Sequence, residues 1–522
     1  MTDVKNAIIV GAGHNGLTCA TYLAKAGYQV LVLEAEDHVG GAADTREFAA
    51  GFKASGCAHY VYQLRPEIVN DLGLAQHGLR FAATELATTA LSSTGEHVTI
   101  ARNRLTGPVS DRDRAGQTEF NRLMRRFAGL LTPYLDRSPP LLANNSRQDR
   151  ITLARLGFDI RRLGRDDMRE LLRVIAINIY DVLNEFFDND LIKGAISLDA
   201  VLGSHLGPRS PNSVLTYLYR LAGNAASAAG AISQPAGGMG NVSAALESAA
   251  KSAGVIIRTG AVVEEILVEY GKVTGVRLAG GEVIRSLTVA SNVDPRTTML
   301  SLVGARHCET GFTRRISNLR AWGNAAKLHL ALDGLPEFRG LDAAALGQRL
   351  VIAPDMDYAE RAFNPAKYGE FSTEPVIEIG LPSVNDSSLA PQGRHVLSAV
   401  VQYAPYRLKA GWDADNKKTF FEQIIDTITR YAPKIRQQIV ASELLTPKDI
   451  ESRYRIHGGH WHHGELTLDQ FLFVRPVPGA AQYAMPVDGL YLCGAGAHPG
   501  GGVTGSAGRN AAKAISAGGG GA

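Results

Sequence analysis

The run His457-Gly458-Gly459-His460-Trp461-His462-His463-Gly464-Glu465 places four histidines and a carboxylate in nine residues. Imidazoles titrate near neutrality, so such a run suits proton transfer, and its donor types would also suit a metal ion. His462 and His463 are candidates to line a substrate cavity and shuttle a proton. Asp469 and Gln470 continue the same stretch. A second candidate is Lys327, in the alternating run Ala325–Leu332 (AAKLHLAL). That run reads as a β-strand with Lys327 and His329 on one face and Leu328 and Leu330 on the other. The polar face suits either solvent or an internal site. On spacing alone Lys327 is as much a surface lysine of an edge strand as a catalytic one. His498, in a glycine-dense stretch near the C-terminus, and His59 are further candidates. A histidine at any of these places would equally serve to satisfy a buried backbone group.

These side chains need a frame, and glycine patterning indicates which one. An apolar run at 7–10 reads as a buried parallel strand. It leads into Gly11-Ala12-Gly13-His14-Asn15-Gly16, a G-x-G-x-x-G turn that opens a helical pattern. Leu17, Ala20, Leu23 and Ala24 line one face of that helix, and Gly27 ends it. A second strand, Gln29–Leu33, then delivers Glu34. Gly11 permits the tight turn, Gly13 lets a pyrophosphate approach the backbone, and Gly16 lets helix and strand pack closely. The helix N-terminus offers free N–H groups to phosphate. Glu34 can accept ribose hydroxyls and would repel a 2′-phosphate. A glycine pair follows at Gly40-Gly41, where backbone can pass close to a bound dinucleotide.

A second segment runs from Gln234-Pro235-Ala236-Gly237-Gly238-Met239-Gly240 through a small-residue helix, the apolar run Val255-Ile256-Ile257-Arg258, a strand-like stretch from Ala261 to Val268 and a hairpin around Gly271. A third, 489–506, repeats the strand, glycine-dense turn and helix. Two such turns, one near each end, are expected for FAD and would be unexplained for NAD alone. No second G-x-G-x-x-G stands at a strand end, so one dinucleotide and no separate NAD(P)H domain are expected.

The remaining 81–231 and 301–464 read as a different unit. Phe120, Leu123, Met124, Phe127, Leu130, Leu131 and Tyr134 recur at helical spacing, as do Leu171, Ile175, Ile179, Val182 and Phe186. The first part is therefore expected to be mainly helical, its helices separated by Pro139-Pro140 and by an arginine-rich 146–165 segment. Its basic residues suit either a membrane-contacting surface or a solvated face, and the solvated face is favoured. The second part alternates strands and helices, with Phe420, Ile424 and Ile428 on one side of a helix.

Composition narrows the class. In 522 residues, 45% hydrophobic and 20% charged content are those of an ordinary globular protein. A formal charge of +3 implies neither nucleic acid nor an anionic membrane as partner. Cys19, Cys57, Cys308 and Cys493 form no C-x-x-C pair and suggest buried thiols in a reducing compartment. With no signal-peptide pattern and no membrane-spanning run, the expected location is the cytoplasm, membrane association remaining open. Oligomeric state is left open, a homodimer included.

The glycine turn, Glu34 and the Gly40-Gly41 pair resemble the FAD-binding start of the phytoene desaturase and amine oxidase superfamily. Many amine oxidases carry an arginine just after that pair, where Ala42 stands here. The stretch Gly51-Phe52-Lys53-Ala54-Ser55-Gly56-Cys57-Ala58-His59 resembles the desaturase-type branch, and within it the pyridine nucleotide-disulphide oxidoreductase domain-containing protein 2-like group. The disulphide motif in that name is absent. The resemblance implies an α/β fold: a discontinuous Rossmann-like FAD-binding domain (1–80, 232–300, 465–522) with an inserted α+β substrate-binding domain (81–231, 301–464). It implies non-covalent FAD held by Gly11, Gly13, His14, Asn15, Gly16, Glu34, Ala35, Gly40, Gly41, Ala42, Val263, Gly494, Gly496, Gly502, Val503 and Thr504. Backbone at Val263 would face the adenine, and Val503 or Thr504 would meet the ribityl chain. Lys327 matches a lysine that holds a water near flavin N5. His462, His463 and His498 would face the flavin or its substrate. Relatives with a similar glycine–histidine–glutamate stretch need no metal, so none is expected.

The function this implies is removal of hydride from a mostly apolar, lipophilic small molecule. The expected reaction is CH–CH desaturation of a carotenoid-like, isoprenoid-like or other lipophilic compound, with oxygen or a quinone as acceptor. Amine oxidation, polyene isomerisation or saturation, and a non-enzymatic FAD-stabilised partner-binding role remain alternatives.

Overall fold

A parallel five-stranded sheet forms where three distant stretches of chain meet. The computed structural model describes residues 5–143, 146–223 and 230–518. Residues 144–145 and 224–229 of the inserted segment, and the first and last four of the chain, lie outside that description. Strand β1 (Asn6–Val10) pairs with β2 (Gln29–Leu33) and, on its other side, with a strand from the second glycine segment. The order is β3 (Ile256–Arg258), β2, β1, β4 (Val289–Ser291), β5 (Leu490–Leu492), all parallel. Helix α1 (His14–Lys25) follows the glycine turn, α2 (Gly240–Ser252) follows the second segment, and α3 (Ser506–Gly518) follows the third. Leu17, Ala20 and Leu23 of α1 are fully buried, Ala24 half-buried, and Gly27 leaves the helix in the left-handed region at φ +88°.

Helices α1 and α3 approach closely because α3 is built of small residues. A Cβ on Gly508 would run into the Asn15 carbonyl, so only glycine permits this separation.

The second sheet has eight strands, in the order Ile439–Leu445, Ala325–Leu332, His395–Gln402, Ile377–Gly380, Arg349–Ile352, Thr88–Ala90, Val98–Ala101 and Arg104–Thr106. The 81–231 segment thus begins with strands and becomes helical only from Asp111. Strands of three or four residues are too short to show a period, so they were invisible beside the helices that follow. The arginine-rich stretch expected to separate helices is itself a helix, Arg147–Arg161, started by a Ser146–Asp149 capping box.

One face of the eight-stranded sheet is apolar. Leu328, Leu330, Ile352, Ile379, Leu397 and Val401 pack there against Phe420, Ile424 and Ile428 of helix Ala414–Thr429. The opposite face carries Lys327, His329, Ser398, Glu378, Arg349 and Thr88, and all six are buried. The Lys327 strand lies between two neighbours, so it is no edge strand. Among the described residues no helix is long and apolar enough to cross a membrane.

The close approach of α1 and α3 predicts that Gly508→Val lowers the melting midpoint, at a cost of about 1–3 kcal/mol from overpacking. Gly129→Ala is the control: it lies in helix Asp111–Leu135 with nothing within 4 Å of an added Cβ. Thermal unfolding of both variants checks this; an unchanged midpoint for Gly508→Val would contradict the packing account.

Candidate active site

The glycine turn, Glu34 and the Gly40-Gly41 pair open onto a cavity of about 620 Å³ beyond the carboxyl ends of the parallel strands. Gly11 takes φ +95°, and a Cβ on Gly16 would overlap the Gly11 carbonyl. Beneath the turn lies Asn292, just after β4, whose Nδ2 would stand 2.6 Å from a Cβ on Gly13. Glu34 is oriented by backbone donors: Ala12 N–H to Oε2 at 2.6 Å and Glu36 N–H to Oε1 at 3.0 Å. His14, Asn15, Ala35, Ala42 and Val263 also line this cleft.

A second cavity of about 90 Å³ shares a wall with the first. His14, Ala42 and Trp461 face both. The His14 Nε2–H donates to the Gly502 carbonyl at 3.1 Å, joining the two terminal glycine turns. Burial pushes its pKa down to about 4, so the ring is neutral at pH 7. His463 lines the first cavity with φ +55°, an uncommon conformation for a side-chain-bearing residue, while His462 lines the second. Both present a buried Nδ1 without a partner. Burial keeps both neutral, His463 at about 4 and His462 well below the usual imidazole range. The loop carrying them is held by Arg475, 1% exposed, whose guanidinium donates to the carbonyls of His462, Gly464, Glu465, Gln470 and Ala495.

Below the second cavity lies the polar face of the eight-stranded sheet. The Lys327 Nζ shares a hydrogen bond with Nδ1 of His59, which lines that cavity and whose Nε2 is buried without a partner. Burial brings the Lys327 ammonium down to about 7, against the smaller opposing pull of Cys57 and Glu378. Arg349 donates to Glu378, to Asp199 at 2.6 Å and to Thr88 at 3.0 Å. Arg220 pairs with Asp199 at 3.2 Å, lies 3.8 Å from Glu378, and sits over the Tyr62 ring at 4.3 Å. Two guanidiniums and two carboxylates therefore neutralise one another beside the cavity.

The model of the family described as flavin containing amine oxidoreductase matches residues 16–516. The chain belongs to that family. It is an FAD-dependent oxidoreductase. It is similar to pyridine nucleotide-disulfide oxidoreductase domain-containing protein 2 of Rattus norvegicus, 35% identical over 98% of this chain and 93% of that one. It is also similar to a component of the limonene dehydrogenase of Castellaniella defragrans, 26% identical over 99% and 95%. The solved structure of putrescine oxidase bound to putrescine shares the fold at a TM-score of 0.59, 17% identical, covering 98% of each chain.

The residues present fit FAD. The first cavity has the glycine cradle for a pyrophosphate, Glu34 for a ribose, and Asn15 at the start of α1 with both side-chain polar atoms buried and unpartnered. Besides Gly16 in the turn, five of the expected site residues line neither cavity. His498 lines neither cavity: its Nδ1 meets the Leu472 carbonyl at 3.2 Å and its Nε2 the Tyr134 carbonyl at 2.9 Å. It is a strut between the C-terminal turn and helix Asp111–Leu135: the ring is neutral, with its pKa pushed down to about 4 by burial, and its one N–H donates to one of these two carbonyls. Thr504 caps α3, accepting from Ser506 N–H at 3.0 Å. A Cβ on Gly494 would overlap the Asn292 carbonyl, and one on Gly496 would overlap Pro295. Lys327 reaches the cavity through His59 rather than lining it. Among the described residues no cluster of His, Cys, Asp or Glu converges to hold a metal.

Sequence patterns missed Asn292, Arg475 and the Arg220–Glu378 pair. Asn292 had a usable signal, its place directly after a buried strand that returns to the sheet; Arg475 and Arg220 had none nearby.

Two outcomes follow. Gly13→Ala, with its Cβ crowded by Asn292, is expected to weaken FAD binding to the apoprotein by about 5- to 150-fold, read by flavin fluorescence titration, because overpacking costs about 1–3 kcal/mol. Burial raises the Cys57 thiol to about 12 and lifts the Cys493 thiol well above the usual thiol range, leaving neither as a thiolate to attach flavin. Acid precipitation should therefore release FAD into the supernatant; flavin retained in the pellet would contradict it.

Proposed function

We propose that this oxidoreductase removes two hydrogens from adjacent carbons of a mostly apolar small molecule seated in the second cavity. When bound, FAD supplies the hydride acceptor, reoxidised by oxygen or a quinone. The chain's own task is to seat the substrate, exclude water and take the remaining proton. One observation carries this reading: a lysine with a pKa near 7, buried behind a cavity-lining histidine. His59, held neutral chiefly by burial, can receive a proton at its free nitrogen and pass its other proton to an unprotonated Lys327.

Charge also weighs on the choice of substrate. An ammonium arriving in this cavity would meet Glu378 already held by Arg349 and Arg220, with Lys327 beside it. A neutral carbon skeleton meets no such penalty, and the name limonene dehydrogenase of one relative supports a hydrocarbon-type substrate. Amine oxidation is the second reading, favoured by the family's name and by Tyr60, Tyr62 and Trp461 along the cavity. Anaerobic mixing with terpenoids and polyenes on one side and amines on the other, watching flavin absorbance, separates the two. Bleaching by amines alone would overturn the proposal.

Lys327→Met keeps length and removes the base. Loss of one positioned group commonly costs about 2.7–4 kcal/mol, or 10²–10³ in rate. Flavin reduction is expected to slow by that factor with FAD content intact. In the parent enzyme the rate should rise with pH through about 7, as the ammonium gives up its proton. That limb should vanish in Lys327→Met; a near-normal rate and an unchanged pH profile would remove Lys327 from the reaction.

A further inference from the structure

Helix Arg147–Arg161 stands apart from the redox site and shows an unusual outer face. Its inner side turns Leu153, Leu156 and Ile160, each half-buried, toward the protein. Its outer side exposes Arg147, Arg150, Ile151, Ala154, Arg155, Phe158 and Arg161, and Arg162 follows at the cap. At roughly 100° per residue, Ala154, Phe158 and Ile151 fall within about 60° of one another, forming a ridge. Arg150 and Arg161 flank it on one side, Arg155 and Arg162 on the other. Ile151 is 52% exposed and Phe158 61%, large values for such side chains on a lone surface helix. Leu142, just before the helix, is 61% exposed, and Leu172, in the next helix, 62%.

The charge on this face is unopposed. The helix has two acidic residues, and both are engaged inward: Asp149 is the buried partner of the Ser146 cap, and Asp159 accepts from the Tyr134 hydroxyl at 2.7 Å. No ion pair is formed by Arg147, Arg150, Arg155, Arg161 or Arg162 among the described residues. Five arginines on one helix face exceed the +3 formal charge of the whole chain.

We propose that this face docks the enzyme on an anionic lipid bilayer, the Phe158–Ile151 ridge entering the acyl boundary and the flanking arginines meeting headgroup phosphates. An apolar ridge between two basic rows has the layout of a helix lying in the membrane interface. Arginine pairs with phosphate through a planar fork, and each basic side chain near an anionic leaflet adds measurable attraction. Nucleic acid would satisfy the arginines but offers nothing to bury Ile151 or Leu142. This inference stands independently of the reaction proposed above.

Sedimentation of the FAD-loaded enzyme with vesicles tests it, using phosphatidylcholine alone and phosphatidylcholine with 30% phosphatidylglycerol. Binding is expected to the anionic vesicles, to weaken with salt, and to be absent on the neutral ones. Ile151→Ser with Phe158→Ser should weaken it at least tenfold, and each of Arg150→Gln and Arg155→Gln about fivefold, a fold-change matching ~1 kcal/mol per basic residue. Unchanged melting midpoints and FAD content show that these exposed replacements leave the fold intact. No binding to anionic vesicles, binding indifferent to these replacements, or binding to a DNA or RNA duplex in place of vesicles would each overturn the proposal.

Discussion

The site depends on one buried guanidinium. Among the described residues Arg475 has no acidic partner, and an unpaired buried charge is costly, so it persists only where other groups replace its hydration. Backbone carbonyls of His462, Gly464, Glu465, Gln470 and Ala495 do so. Those carbonyls are themselves buried and would otherwise lack donors. The arrangement is reciprocal: the arginine is tolerable because the loop folds around it, and the loop holds its shape because the arginine satisfies it. His462 and His463 therefore reach two different cavities from adjacent positions, with the strained backbone of His463 held in place.

A second constraint comes from the eight-stranded sheet. Alternation sends one set of side chains to each face, and here both faces are covered. The apolar face packs against a helix in the ordinary way. The polar face is buried too, so its charges must cancel locally, as Arg349, Arg220, Glu378 and Asp199 do. Among the described residues Lys327 has no carboxylate within hydrogen-bond reach, only His59, and its ammonium loses stability until it titrates near neutrality. A lysine that titrates near neutrality is thus a consequence of the sheet having no solvent-facing side here.

The sequence by itself determined the frame. Glycines at 11, 13 and 16, apolar runs on either side and an acid after the second strand specify a local unit whose parts are neighbours in the chain. Their physics is short-range, so spacing suffices to read it, and FAD followed from the repeat of a glycine turn near the other end. Tertiary structure decided everything that depends on chain segments meeting. Lys327 sat equally well on an exposed edge or in an interior until its flanking strands, drawn from residues 395–402 and 439–445, were placed. His498 resembled a site residue because it shares a turn with glycines. It became a strut when a helix more than three hundred residues earlier presented the Tyr134 carbonyl. Arg475 and Asn292 carried little or no local mark, since what makes each matter is the set of distant backbone atoms around it. Burial, which sets pKa and partner alike, is a property of the packed chain and not of any stretch within it.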